Sequence, residues 1–516
     1  MKTTYLLAHD LGTTGNKATL YSSDGELIAS DVYDYQTHYP KHNWAEQNPN
    51  DWWNATCLST QRLLEKSRVH PTDVAVISFS GQMMGAVMVD QSGVPLRDCI
   101  IWADMRSEEQ AAKMAAKISS EEVYQISGNP LSPSYTIEKV MWIRDNQPDI
   151  FRQSHKFLHA KDYLVFKLTG KFVTDYTDAS GTNAFDLVKR EWSAPLVEAT
   201  GLPFEIFPEA HPSTTVIGEI TNAASQEIGL RAGTPVVIGA ADGCCAAVGA
   251  GVVREGSAYN YVGSSSWIAL ATSEPLIDPK QRTVTFCHAD PKMMMPVGTM
   301  QCVGGAYQWF KDEIGRIETK AGEDAGVSPF ELLNLKAEST VPGAHNLIFL
   351  PYLLGERTPY WNPNARGAYI GLTRGHTRED LTRSILEGAI FGLRTIVDTF
   401  LDQGVQIDDV RVIGGGARGR LFCQIQADIF RRRILRTQLL EEATSLGAAI
   451  TGGVGIGLFK DFSVAEELVR IADMFTPHPQ KGEDYDKLYE IFTESYYALV
   501  PIYEKLAALD NGAKKS

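Results

Sequence analysis

The chain opens with a strand, a glycine-threonine turn and a second strand, and no helix follows the turn. Residues 4–8 read TYLLA, Asp10 to Lys17 read DLGTTGNK, and the following ATLYSSDGELIASDVYDY holds an Asp24-Gly25 turn between β-rich segments. This order predicts strand, turn, strand, turn, strand. It excludes a P-loop at this position, because the spacing GxxxxGK[ST] is absent and the element after the glycines reads as a strand. The same idea returns at 257–272, SAYNYVGSSSWIALAT, again strand, small polar turn, strand. Two β-turn-β openings point to two similar α/β domains, the pattern of an internal duplication with little residue identity between the halves. The boundary is expected near 245–257, where GAGVVREG is glycine-rich, giving halves 1–247 and 248–516.

Length supports two domains, since 516 residues exceed what one hydrophobic core usually holds. Apolar residues at 44% and charged residues at 22% are ordinary for a soluble globular chain. A formal net charge of -15 repels phosphate backbones and anionic lipid, so no nucleic acid and no membrane partner are expected. An anionic ligand such as a nucleotide then needs local donors and a metal ion. The cysteines Cys57, Cys99, Cys244, Cys245, Cys287, Cys302 and Cys423 are odd in number and form no CxxC pair. Neither a disulfide framework nor a zinc site is expected, and a reducing cytoplasm fits. The start, MKTTYLLAHD, lacks the apolar core of a signal peptide, and no run approaches the about 18 apolar residues of a membrane span.

Between the two openings the patterns alternate. VAVISFSG (74–81) reads as a buried strand, SEEQAAKMAAKI (107–118) as a helix with a serine at its start, and TPVVIGAADG (234–243) as another buried strand. In the second half, residues 378–401 are helical, 411–430 read strand, glycine turn, helix, and the tail after Glu466 reads as helix.

Four places carry chemistry. The turn DLGTTG exposes backbone N–H groups and hydroxyls suited to phosphate oxygens, and Asp10 beside it could hold Mg²⁺ through water; the plainer reading is a hairpin turn whose glycines supply positive φ. Gly263-Ser264-Ser265-Ser266 has the same small polar character and is weak alone. Asp242 closes a strand ahead of the small residues GCCAAVGAG; it could accept a proton from a hydroxyl nucleophile, or could be a helix N-cap. Gly414 to Gly419, GGGARG, matches GxGxxG after a strand, with Glu441 and Glu442 about 20 residues on, which admits a nicotinamide or flavin enzyme.

Further segments bring in a resemblance. SYTIEKVMWIRDN (134–146, with Lys139 and Trp142) and GAYIGLTRGHTREDLTRSILE (367–387) resemble the two signature patterns of the FGGY family of carbohydrate kinases. PYLLGERTPYWNPNARG (351–367), WAEQNPNDWW (44–53), GQMMG (81–85), WADMR (102–106) and DASGT (178–182) are similar to the family as well, from about residue 4 to about 460. Within the family these motifs resemble the xylulokinase-like subgroup most. Agreement across so many separated motifs leaves the dehydrogenase reading well behind.

The resemblance implies an α/β fold of two actin-like, ribonuclease H-like domains with a nucleotide and sugar cleft between them: an FGGY N-terminal domain over 1–247, and an FGGY C-terminal ATP-binding domain with a helical tail over 248–516. It implies ATP and Mg²⁺, a small sugar or polyol as acceptor, a cytoplasmic enzyme, and allows a homodimer. Asp10 would organise the metal; Gly12, Thr13, Thr14 and Lys17 would hold the β and γ phosphates; Asp242 would be the catalytic base. Gly263 and Ser264 would form the second phosphate turn, Gly304 and Gln308 would lie near the nucleotide, and Gly414, Gly415 and Arg418 would line the adenosine pocket. The sugar pocket would draw on Gln82, Met83, Met84, Trp102, Asp104 and Asp242. The chain departs from xylulokinases in two places: Met84 stands where they usually have histidine, and Gly243 where they usually have asparagine. L-xylulose, ribulose, erythritol and glycerol therefore remain alternatives to D-xylulose. In other classes, Asp10 and Asp242 together argue against a non-catalytic sugar-binding regulator, and the sugar-kinase motifs against an actin-like filament ATPase.

Overall fold

The computed structural model describes residues 4–513. These fall into two units by packing. Unit 1 takes the described chain through Glu255, then Ala271–Pro296 and Glu442–Val469; unit 2 takes Gly256–Leu270, Val297–Glu441 and the described chain from Arg470. After its first crossing the chain therefore returns to unit 1 twice, so that residues 271–296 and 442–469 pack with residues of the first half.

In unit 1, β1 (Tyr5–Leu11), β2 (Gly15–Ser22) and β3 (Leu27–Asp34) form an antiparallel meander around the two turns read from the sequence. β4 (Val74–Gly81) joins the other side of β1 in parallel. β5 (Val216–Glu219) pairs antiparallel with β6 (Pro235–Val237), which runs parallel to β4, and β7 (Ala240–Ala241) also pairs parallel with β4. All of β4 except Ala75 is buried, as a parallel strand covered on both faces must be. Leu7, Leu20, Ile77, Phe79, Trp52, Tyr163 and Val236 belong to one apolar core. TPVVIGAADG is not one strand but two short ones. The break falls at Gly239, at φ +76, where an added Cβ would lie 1.8 Å from the Phe79 carbonyl oxygen. The chain passes so close over β4 that only glycine fits.

Unit 2 repeats this plan. β8 (Ala258–Val262), β9 (Ser266–Leu270) and β10 (Met294–Met300) are successive antiparallel neighbours. β11 (Asp409–Ile413) pairs parallel with β8, β12 (Arg433–Thr437) parallel with β11, and β13 (Ile471–Phe475) antiparallel with β12. The order β10-β9-β8-β11-β12-β13 matches β3-β2-β1-β4-β6-β5 strand for strand in direction. The 25-residue helix Arg378–Asp402 buries a continuous run of its length and starts at a Thr377–Asp380 capping box. β13 is a strand inside the tail expected to be helical; it pairs antiparallel with β12 as an edge strand, with only Phe475 buried, before the helix Pro479–Ala513 begins.

Candidate active site

Strand register assembles the site of unit 1. Asp10 on β1 lies opposite Ser80 on β4, and Ser80 opposite Ala240 on β7; one residue further, Leu11, Gly81 and Ala241 line up. The next residues in each strand are Gly12, Gln82 and Asp242, so three carboxyl ends of parallel strands deliver a glycine turn, an amide and a carboxylate side by side. Outside the carboxyl ends of parallel strands is where open α/β sheets bind ligands. Ser80 Oγ donates to Asp10 Oδ1 at 2.9 Å. Burial raises the Asp10 carboxyl, while the Ser80 hydroxyl and Lys17, its register partner on β2, act against that rise.

Asp242 is the first residue of the helix Asp242–Gly249, not its N-cap, which is Ala241. Its Oδ1 accepts from the N–H of its own neighbour Gly243 at 2.7 Å. A helix N-terminus and that bond favour the charged carboxylate, yet burial and the charge of Asp10 push Asp242 up to about 7. The small residues behind it serve helix packing: an added Cβ on Gly249 would lie 1.7 Å from the Ala443 carbonyl oxygen, and one on Gly447 would lie 1.8 Å from that of Cys245. The helix Ala443–Gly455 thus presses backbone to backbone on the middle and the end of the helix that starts at Asp242.

The DLGTTG turn closes with Gly12 N–H donating to the Gly15 carbonyl at 3.0 Å. The hydroxyl of Tyr35 binds the carbonyls of Gly12 and Gly15, and Gln47 Nε2 donates to the Thr13 carbonyl at 2.6 Å. With its carbonyls held from behind, the turn leaves Thr14 exposed and Thr13 half-buried. Gln82 is buried; its Nε2 donates to Gln47 Oε1 at 2.7 Å and approaches the Gly12 carbonyl at 3.5 Å. Trp102 Nε1 donates to Thr13 Oγ1 at 3.0 Å, which brings that indole to the turn.

Asp104 is placed differently. It is fully buried, and its two oxygens accept from the Arg106 guanidinium and from the N–H groups of Ala45 and Arg106. Arg106 in turn lies 3.7 Å over the Trp44 ring and meets Glu46 at 2.6 Å. Asp104 orients this arginine and offers no accessible oxygen.

Met83 and Met84 are half-buried, and their side chains come to where a Cβ on Gly181 would stand, Met83 Cε at 3.1 Å and Met84 Cγ at 3.7 Å. Met84 holds φ +62, a left-handed conformation that costs a bulky residue roughly 1–3 kcal/mol. Lys139 supplies the restraint. It is fully buried, and its ammonium donates to the carbonyls of Met84 (3.1 Å), Tyr135 (3.2 Å) and Ser134. Burial brings Lys139 down to about 7 and raises the adjacent Glu138 to about 8.

In unit 2 the corresponding strand ends are built from backbone. Gly263 follows β8, and Gly414 follows β11, two strands in parallel register through Tyr261 and Ile413. Gly304 N–H donates to the Gly263 carbonyl at 3.0 Å and Gly305 N–H to the Ser264 carbonyl at 2.9 Å. A Cβ on Gly304 would lie 2.4 Å from the Gly263 carbonyl oxygen, and one on Gly414, at φ +87, 2.7 Å from that of Val262. Gly263, Ser264, Gly304 and Gly414 are therefore one contiguous surface. The GxGxxG look-alike is not a dinucleotide turn: Gly415–Arg418 is a 3-10 turn, the helix Arg420–Phe430 comes after it, and the acid 23 residues beyond Arg418, Glu441, is an ion-pair partner of Arg418 at 2.6 Å. Gln308 is exposed and bonds Asp312 at 2.7 Å, one turn along its own helix.

Sequence reading passed over Tyr35, Gln47 and Ser80, which brace the turn and Asp10. Gln47 lies in the quoted WAEQNPNDWW segment, so its signal was present without a role. It also passed over a buried charged group around Lys161, described below.

Unit 1 thus carries two carboxylates at parallel strand ends beside a glycine-threonine turn, and unit 2 a glycine surface at its own strand ends. The N-terminal domain of the FGGY family of carbohydrate kinases matches residues 5–249, and the C-terminal domain of that family matches 258–456. The chain belongs to the FGGY family of carbohydrate kinases. It is 32% identical over 493 residues to a xylulose kinase of Bacillus subtilis (strain 168), covering 95% of this chain and 96% of the relative. It is 31% identical over 508 residues to a gluconokinase of Bacillus licheniformis, covering 98% of each. A solved xylulose kinase from Lactobacillus acidophilus superposes with a TM-score of 0.89 at 28% identity, covering 98% of this chain and 100% of that one. The fold is thus the two-domain actin-like α/β fold of these kinases, and the chain is an ATP-dependent phosphotransferase with an alcohol group of a sugar or polyol as acceptor. Among the described residues no helix is long and apolar enough to cross a membrane.

Proposed function

We propose that this kinase phosphorylates a neutral ketose or polyol, with Asp242 as general base and Asp10 as the residue that organises Mg²⁺. The observation that carries the reading is Asp242 itself: a half-buried carboxylate at a strand end, beside Gln82 and the phosphate-type turn, held near 7. A base of that affinity takes a hydroxyl proton at neutral pH, a contribution of roughly 10²–10⁴-fold in enzymes. Two half-buried carboxylates, one raised by the charge of the other, are a donor set that suits a hard divalent cation. When bound, Mg²⁺ neutralises phosphate oxygens during transfer.

The other residues follow by unit. In unit 1, Gly12, Thr13, Thr14 and Lys17 hold the β and γ phosphates, while Gln82, Met83, Met84 and Trp102 face the sugar and Asp104 acts through Arg106. In unit 2, Gly263, Ser264 and Gly304 hold phosphate from backbone groups, and Gly414, Gly415, Arg418 and the exposed Gln308 serve the nucleoside. Residues 1–247 then form the sugar-binding and phosphate-binding domain and 248–516 the ATP-binding domain. The seven cysteines are buried and free, which suits a reducing cytoplasm. The family resemblance allows a homodimer, and the net charge disfavours nucleic acid.

A neutral acceptor is favoured over an aldonate such as gluconate because the cations around the Gln82–Met84 loop have other tasks. Arg106 holds Asp104 and Glu46, Lys139 holds three carbonyls, and Lys161 holds three aspartates. Met84 replaces a histidine that could bind a hydroxyl, and Gly243 replaces an amide. A pocket rejects ligands that leave its polar groups unpaired, so losing two polar groups shifts preference away from D-xylulose, toward a different configuration, a deoxy carbon or greater bulk. An ADP-release screen over D-xylulose, L-xylulose, ribulose, erythritol, glycerol and D-gluconate tests this. The highest kcat/KM is expected for a neutral ketose or polyol other than D-xylulose. D-xylulose leading every other acceptor about tenfold would overturn the shift, and D-gluconate leading would overturn the neutral-acceptor reading.

A further inference from the structure

The mechanism leaves unused the most heavily charged buried group in unit 1. Lys161, Asp162, Asp175, Asp178 and His159 are all fully buried. Lys161 Nζ meets Asp162 Oδ1 at 2.6 Å, Asp175 Oδ1 at 2.8 Å and Asp178 Oδ2 at 3.1 Å, and His159 Nδ1 lies 3.0 Å from Asp162 Oδ2. His159, Asp162 and Asp178 have the spacing of metal ligands, but the lysine ammonium already supplies the cation. Burying so many charges is costly unless they are paired, and here each of the three carboxylates meets the one ammonium.

One strand of its bonds leads to the site. Asp175 Oδ2 accepts from Thr177 Oγ1 at 2.6 Å, from Ser213 Oγ at 2.6 Å and from Thr177 N–H at 3.0 Å. Thr177 Oγ1, its proton committed to Asp175, accepts from the N–H of Ala241 at 2.8 Å. Ala241 is the N-cap of the helix that begins at Asp242. Behind it, the Lys161 Cβ lies where a Cβ on Gly81 would stand, at 2.9 Å, and Gly81 is the register partner of Ala241. Lys161 therefore touches β4 and, through Asp175 and Thr177, the residue before Asp242.

We propose that Thr177, oriented by Asp175 and Lys161, is a positioning residue for Asp242: its hydroxyl holds the Ala241 peptide and so aims the carboxylate at the acceptor hydroxyl. This rests on the assignment of Asp242 as base. Displacing a reacting group by about 1 Å costs on the order of 10²-fold, whereas the sugar contacts proposed at Gln82, Met83, Met84 and Trp102 stay in place.

The test is steady-state kinetics of full-length T177V, T177S and D242N, with ATP and the fastest acceptor of the panel above, alongside thermal unfolding. T177V keeps the shape of threonine and removes the hydroxyl. Its kcat is expected to fall about ten- to a hundredfold while both KM values stay within about threefold, and T177S is expected to restore kcat to within about threefold of the parent. A T177V kcat within about twofold of the parent, with D242N inactive, overturns the proposal and leaves the base assignment standing. Equal impairment in T177S, or a loss that merely follows the folded fraction, also overturns it. D242N retaining more than about a tenth of turnover overturns the base assignment and this inference with it.

Discussion

Units 1 and 2 share a sheet plan yet carry opposite chemistry at the same places. β1 and β8 are equivalent, as are β4 and β11, and each pair ends in a turn. In unit 1 those ends present Asp10, Gln82 and the neighbouring Asp242. In unit 2 they present Gly263 and Gly414, and Tyr261, in the place of Asp10, stacks on Trp267 at 4.1 Å. The difference teaches that the plan fixes where a ligand meets the chain, while the side chains at the strand ends decide what is done to it. Charge at the ends of unit 1 suits proton and phosphoryl chemistry. Glycine at the ends of unit 2 lets a ligand approach the backbone without a carboxylate to repel it.

Substitutions can break this contrast. The largest effect is expected at Asp10. Asp10→Ala should lower kcat/KM for Mg-ATP by about 10²–10³-fold, with sugar affinity within a few-fold; titrating Mg²⁺ at fixed ATP checks it, and normal activity insensitive to Mg²⁺ would reduce Asp10 to a turn residue. A smaller and complementary effect is expected in unit 2. Gly304→Ala places a Cβ 2.4 Å from the Gly263 carbonyl oxygen, so the phosphate turn must shift, at roughly 1–3 kcal/mol. About a tenfold rise in KM for ATP, with sugar dissociation unchanged by calorimetry, is the expected result. The smallest effect is a pH dependence. Asp242 sits near 7 and must be deprotonated to act as base, so kcat/KM for the acceptor should rise with pH through about 7 and level off above it. A profile flat from pH 6 to 8 would remove burial and Asp10 as tuning influences on the base.

The sequence showed the architecture more readily than the supports. Both β-turn-β openings were legible because strand periodicity and glycine-rich turns are local signals, and β4 fell on the residues read for it. Asp242 could be singled out but not resolved, since a base and an N-cap look alike until the helix start is seen at Ala241. Gly414 to Gly419 misled in the other direction: glycine spacing is a local pattern, while the pairing of Glu441 with Arg418 is not. The Lys161 group was not legible as a group: Asp178 stood in the DASGT segment without a role, and nothing local in the sequence joins Lys161-Asp162 and Asp175 to it. Their burial exists only after the helix Ala160–Thr169 and the turn of helix at Tyr176–Ser180 pack beside β4 and β7. Lys139 belonged to a quoted signature, but its task, pinning the left-handed Met84, depends on a residue 55 positions away.

The most direct test of the central claim is the turnover of Asp242→Asn, measured as ADP release at saturating ATP and acceptor, with nucleotide affinity measured on the same protein. The substitution keeps shape and removes the basic oxygen. The account expects turnover to fall to about a hundredth or less while nucleotide affinity stays within a few-fold. Turnover above about a tenth of the parent would contradict it, because no general base of ordinary strength is dispensed with so cheaply.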